Sequence, residues 1–191
     1  MTIEKIQSNL KKGLDQEKNY NSQNGSIKAA VLLPLFKKYD EWHLLFIRRT
    51  ETVNTHKGQV AFPGGGMEVM DQNLWETALR ETQEEIGIKP ERINFLGKMN
   101  CFDTISKYIV FPFIGLIPEP KELILSKAEV DRAFSIPLKW LANHMNYEIQ
   151  KKNIPNYGLR EVIYYQLYDG ELLWGLTARI TLDFLSTLQL I

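Results

Sequence analysis

One stretch limits the folds open to this chain more than any other: residues 64 to 88, GGGMEVMDQNLWETALRETQEEIGI. Glycines 64 to 66 lead into a segment in which Leu74, Trp75, Ala78, Leu79, Thr82 and Ile86 recur at helical period. The pattern predicts an amphipathic helix that stops at Gly87, with this stripe on a core and Glu81 and Glu85 at the stripe's edge, where a cleft can form. Residues three and four apart share a helix face, so Glu81 lies beside both Glu84 and Glu85. Like charges so placed mildly destabilise a bare helix, and a hard divalent cation, which takes oxygen ligands, removes the repulsion. Arg80 can pair with Glu76 or Glu84 one turn away, or brace the carboxylates from the side; we read it as a brace.

Arg80, Glu81, Glu84, Glu85, Gly87 and Ile88 resemble the second half of the Nudix box, G-x5-E-x7-R-E-U-x-E-E-x-G-U with U aliphatic, and Thr82 stands at its first U. The first half departs from that pattern. Counting from Gly66 puts Gln72 at the family glutamate, whereas counting from Gly65 puts Asp71 there, with one residue too many before Arg80. Upstream, residues 44 to 65, LLFIRRTETVNTHKGQVAFPGG, resemble the second motif of the coenzyme A pyrophosphatase branch of that family. Arg49, Thr50, Gly58, Phe62, Pro63, Gly64 and Gly65 carry the likeness. Asn54 stands where the motif has an arginine, and asparagine cannot hold a phosphate by the bidentate contact that arginine makes.

The resemblance implies an α/β fold, an α/β/α sandwich with a mixed β-sheet and the box helix beside the active cleft. It implies metal-dependent hydrolysis of the diphosphate bond in coenzyme A or its derivatives, giving 3′,5′-ADP and 4′-phosphopantetheine. Two alternatives stay open: a Nudix pyrophosphatase for another nucleoside diphosphate derivative such as ADP-ribose, NADH or a dinucleotide, and a nucleotide-sensing domain without turnover. Glu81, Glu84 and Glu85 are then the ligands of Mg²⁺ or Mn²⁺, which would neutralise charge on the phosphoryl oxygens and activate water. Glu81, Glu84, Arg80 and Glu129 form the catalytic set, with the general base open between Glu81, Glu84 and Glu129. Arg49 and Lys57 are the candidates for substrate phosphate, and His56 is a weaker contact candidate. Gly64 and Gly65 let the backbone approach metal and phosphate closely. Phe62 reads as core rather than as a base-stacking residue, and Thr104, Ser106 and Lys107 read as a turn.

A chain of 191 residues that is 44% hydrophobic suffices for one core. Residues 1 to 22 read as an N-terminal helix, with Ile3, Ile6 and Leu10 at helical spacing, and a linker; residues 23 to 191 read as the Nudix domain. Lysine plus arginine balances aspartate plus glutamate at 23 each, so no basic excess marks a nucleic-acid surface. The expected partner is a small-molecule nucleoside diphosphate derivative, with a homodimer left open. No apolar run approaches a membrane span. A lone Cys101 excludes an internal disulfide framework and fits a reducing cytoplasm. Strands are expected in residues 26 to 36 and 42 to 49 around the polar turn KKYDE, and in residues 93 to 102 and 108 to 117 around DTISK. A hairpin is expected at Asp169-Gly170 and a closing helix over residues 177 to 188.

Overall fold

The computed structural model describes residues 1–14, 26–51, 57–155 and 157–191. Its axis is β1, Ile27–Lys38, whose sequence IKAAVLLPLFKK is apolar at consecutive rather than alternate positions. A strand covered on both faces reads this way. β1 reverses through Tyr39 and Asp40, both at positive φ, into β2, Glu41–Arg49, as the polar KKYDE segment leads one to expect.

β7, Tyr108–Leu116, runs parallel to β1 along its whole length. The other pairings in this sheet are antiparallel, made by β3 (Val60–Ala61), β4 (Gly64–Gly66), β5 (Asn94–Lys98), β6 (Phe102–Asp103) and β8 (Val130–Pro137). The sheet is therefore mixed, with eight strands among the described residues. Alternate side chains of β1 and β2 divide the core. Ala29, Leu33, Leu35, Leu44 and Phe46 pack with α1 (Ile3–Leu14), α3 (Leu138–Leu141) and α4 (Gly175–Thr187). Ala30, Leu32, Phe36, Leu45 and Ile47 pack with α2 (Leu74–Ile86) on the opposite face. Helices on both faces of a mixed sheet make the α/β/α sandwich.

α1 docks through Ile6 and Leu10, both buried, with Leu10 against the backbone of β5 at Gly97. α4 buries Ile180, Leu182, Phe184 and Leu185, and Leu188 is buried just past its end, the stripe legible in the sequence. Residues 103 to 107 form a turn in which the Thr104 hydroxyl accepts from the Tyr108 amide at 2.9 Å. No helix among the described residues is long and apolar enough to cross a membrane.

One element differs from the expectation. Asp169 and Gly170 do form a tight reversal at positive φ, closed by Tyr168 on Glu171. The long partner of REVIYY is instead β9, Tyr147–Ile154, which pairs with β10, Gly158–Tyr165, as a separate hairpin. YEIQKKNI carries too much charge and amide to register as a strand by hydrophobic alternation.

Candidate active site

Helix α2 begins where the Asn73 side chain accepts from the Glu76 amide at 3.0 Å, and ends at Gly87 in the left-handed conformation with φ 73°. Both are strong local stops. Ala78, Thr82 and Ile86 face the core as their spacing predicts, and Thr77 and Glu85 join them. Glu85 is thus inside the protein, 1% exposed, and not at the stripe's edge.

Two groups hold that buried carboxylate. Arg49 donates from Nη1 to Oε1 at 3.1 Å, and the Gly64 amide donates to Oε2 at 3.0 Å. Burial lifts the Glu85 carboxyl to about 8 even so, with the charges of Glu81 and Glu129 adding to the rise. Glu81 lies one turn earlier, and burial raises its pKa too, against the opposing pull of Arg80. Glu129 sits half-buried in the turn that enters β8, with its carbonyl accepting from the Thr50 amide at 2.9 Å, and its charge reaches both carboxylates. Glu84 points outward at 56% exposure and takes Arg80 Nη1 at 3.1 Å. Glu129 thus acts by its charge on both Glu81 and Glu85, while Glu84, whose charge also raises Glu81, points outward onto Arg80.

Arg80 is the hub of the outer face. Its Nε and Nη2 grip the two Asp71 oxygens at 3.0 and 3.1 Å, Nη1 reaches Glu81 at 2.9 Å, and Nη2 also donates to the Gly66 carbonyl at 3.1 Å. Asp71 further accepts from the Glu68 amide and the Thr77 hydroxyl, both at 2.9 Å, and Arg80 above all holds its carboxyl down to about 2. Asp71 is buried, while Gln72 is exposed with its amide donating to Glu76. The acidic position left open by counting is therefore filled by Asp71. The loop absorbs the extra residue. Thr77, hydroxyl inward and one turn before Glu81, is the partner that sequence reading missed.

The glycines fit around this geometry. A Cβ on Gly65 would lie 2.5 Å from Glu81 Cδ, and one on Gly64 would lie 2.7 Å from Val31 Cα of β1. Phe62 is buried and stacks on Phe46 at 4.8 Å, as a core residue. Lys57 is exposed in the turn ahead of β3. Asn54 and His56 lie outside the described residues.

Among the described residues no three acidic, histidine or cysteine side chains are gathered into a ready-made metal cage. The donor chemistry nonetheless suits a hard cation: oxygen-only groups, two of them with pKa values raised by burial and by neighbouring carboxylates. Such a site can bind a cation and polarise an anionic substrate beside it.

The NUDIX domain model matches residues 27–157. The chain is 37% identical over 152 residues to a protein named Uncharacterized Nudix hydrolase NudL from Photorhabdus laumondii subsp. laumondii, an alignment that covers 80% of each. A protein of the same name from Yersinia pestis is 37% identical over 153 residues, covering 80% of this chain and 75% of that one. Among solved structures, a MutT/nudix family protein from Enterococcus faecalis aligns with a TM-score of 0.60 at 16% identity, over 94% of this chain and 68% of that one. A NUDIX hydrolase from Alicyclobacillus acidocaldarius aligns at 0.52 and 21% identity, over 63% and 82%. These two likenesses are of fold. The match to the family model takes in the sheet, the box helix and its arginine hub together, and with the identity to the NudL proteins it leads to one conclusion: this chain belongs to the Nudix family of hydrolases, which act on nucleoside diphosphate derivatives and generally use divalent metal ions.

Proposed function

We propose that this chain is a pyrophosphatase for coenzyme A or its derivatives, yielding 3′,5′-ADP and 4′-phosphopantetheine. The observation that carries the reading is the contact of residues 44 to 65 with the box helix: Arg49 and Gly64, both in the stretch that resembles the coenzyme A branch motif, close on the two oxygens of Glu85. The two motifs thus form one site.

Glu81 and Glu85 would hold Mg²⁺ or Mn²⁺; Glu84, turned outward onto Arg80, would assist only by leaving that pair. When bound, the ion would neutralise charge developing on the phosphoryl oxygens and activate water for attack. The chain's own residues do the remaining work. Arg80 and Asp71 fix the carboxylate end of Glu81, and Gly65 leaves that end room against the β4 backbone. Glu81 and Glu129, whose charges act on the buried Glu85, are the candidate proton acceptors, and burial keeps Glu81 poised above an ordinary glutamate. Arg49, once drawn from Glu85 by a cation, would face substrate phosphate, with Lys57 a second cation on the same loop.

Asn54, in place of the motif's arginine, favours a second reading in which the substrate is another nucleoside diphosphate derivative such as ADP-ribose, NADH or a dinucleotide. Mass-resolved hydrolysis of coenzyme A, acyl-coenzyme A, ADP-ribose, NADH and diadenosine polyphosphates, with Mg²⁺, Mn²⁺ and chelator arms, separates the two. Preferential release of 4′-phosphopantetheine is expected. Preferential cleavage of another member would move the substrate.

A further inference from the structure

The turn that carries Glu129 is held from two sides. On one side it meets the end of the box helix, whose last carbonyls have no partner within the helix. The Ser126 amide donates to the Glu85 carbonyl at 3.0 Å, and the Ile124 amide donates to the Ile86 carbonyl at 3.2 Å. Gly87 makes that approach possible, since a Cβ there would lie 2.8 Å from Ile124 Cβ. The Ser126 carbonyl then accepts from the amides of Glu129 and Val130 at 3.0 and 2.8 Å. Glu129 is thus one tight turn away from the backbone of Glu85.

On the other side the turn enters β8 through a bulge. Arg48 faces Arg132 across the ladder between β2 and β8, but Arg49 faces Val130, which leaves Asp131 as the extra residue. The bulge changes the face that β8 presents. Phe134 and Ile136 pack with α1 and α4, and unbroken alternation would put Val130 with them. Val130 packs with α2 instead, opposite Arg49. The start of β8 is therefore turned towards the box helix.

Thr50 closes the arrangement. Its amide donates to the Glu129 carbonyl at 2.9 Å, and its hydroxyl donates to the Ala128 carbonyl at 3.0 Å. Directly before it in the chain, Arg49 reaches the Glu85 side chain at 3.1 Å. Arg49, Thr50, the Glu129 turn and the helix end at Glu85 form a closed ring of contacts, in which the Thr50 hydroxyl is a link that the backbone alone does not supply.

We infer that Thr50 is a positioning residue: with its amide and hydroxyl it pins the turn carrying Glu129 to the strand end carrying Arg49, and so sets where Glu129 stands against the carboxylates of the box helix. It rests on the reading of Glu129 as a candidate proton acceptor, and not on the choice of coenzyme A.

The test is a double-mutant cycle between Thr50→Val and Glu129→Gln, with Thr50→Ser as the conservative variant, assayed on whichever substrate of the panel is cleaved. Valine keeps the shape and the amide, and Ala128 is exposed, so water can take up its carbonyl and thermal melts should stay close to wild type. Thr50→Val should lower kcat by roughly tenfold while moving KM by no more than about twofold. Thr50→Ser should restore the rate. In the Glu129→Gln background, Thr50→Val should cost nothing further, because the group it positions is already gone. A wild-type kcat in Thr50→Val beside an impaired Glu129→Gln would overturn the positioning role alone, as would losses that multiply in the double variant. A rise in KM with kcat unchanged would make Thr50 a substrate contact instead. If Glu129→Gln itself runs at the wild-type rate, Glu129 is not the acceptor and the role of Thr50 falls with it. If ADP-ribose is cleaved in preference to coenzyme A and the cycle is still non-additive, the positioning role stands and the coenzyme A reading falls.

Discussion

Nη1 of Arg49 sits 3.1 Å from Oε1 of Glu85, a carboxylate that is 1% exposed. A residue read from sequence as a phosphate ligand is thus clasped to one read as a metal ligand. With Gly64 on the second oxygen, both Glu85 oxygens are engaged, so an incoming cation must share the carboxylate with the guanidinium or displace it. Like charges make displacement the favoured outcome.

Replacing Arg49 by methionine removes the competitor while keeping most of the side chain's bulk. Mn²⁺ binding without substrate, followed by electron paramagnetic resonance titration, should tighten by about tenfold, equivalent to roughly 1.4 kcal/mol. kcat/KM should fall even so, because the phosphate loses its cation. Weaker Mn²⁺ binding in this variant would mean that Arg49 orients Glu85 for the ion and does not compete with it.

The buried carboxyl also dictates how the metal-free protein responds to pH. Glu85 titrates near 8 in the folded chain against an ordinary 4.5, so in that interval the folded state binds more protons than the unfolded one. Stability must then fall as pH rises from about 5 to about 8. Glu81, raised by burial, acts in the same direction, and His43, depressed by burial, acts in the opposite one around 6.5. Urea melts at a series of pH values in chelator should show the decline, and Glu85→Gln should flatten it. An equal slope in that variant would assign the decline to another group.

Much of this site was legible because helical spacing is a strong constraint. Arg80, Glu81, Glu84 and Glu85 could be placed on one helix, and Gly87 at its end, from the sequence alone. The inward rotation of Glu85 was not legible, since periodicity ranks residues by polarity and a glutamate never scores as core; only Arg49 and Gly64, distant in sequence, explain its burial. The choice between Asp71 and Gln72 likewise depended on how the loop takes up one residue, which counting cannot decide. In the sheet, the apolar runs of β1, β2 and β7 announced themselves. β9 did not, because a strand exposed along most of its length has no apolar face to display.

The two glycines of β4 should fail differently when given a side chain. On Gly65 a methyl group meets the far end of the Glu81 side chain, which can swing away, so Gly65→Ala should fold with a melting temperature near wild type and lose activity by about 10- to 100-fold. On Gly64 the methyl group meets the backbone of β1, and φ there is +154°. That obstacle cannot move cheaply, and Gly64→Ala should destabilise by roughly 2–4 kcal/mol. Thermal melts beside initial rates separate the two cases. Equal loss of stability in both variants would show that Glu81 is not free to yield.

Asp71 gives the sharpest test of the arginine hub. Its carboxyl titrates near 2 against an ordinary 3.8, so the stabilisation it lends is complete above about 4 and lost as pH falls towards 2. Asp71→Asn keeps the shape but removes the charge that grips Arg80, and should cost roughly 1–3 kcal/mol at neutral pH. Arg80 then remains on Glu81 and Glu84 without its inner anchor, so the Glu81 carboxylate loses its fixed position and kcat should fall with it. Adding Gln72→Glu would restore an acidic residue in the register of the family pattern counted from Gly66. It should rescue neither stability nor rate, because residue 72 faces solvent, whereas residue 71 is the one that meets Thr77 and Arg80. Recovery in the double variant, measured by denaturant melts and initial rates, would mean that the loop slides by one residue to bring position 72 inward, and the tie between Asp71 and Arg80 would then be one of two equivalent closures.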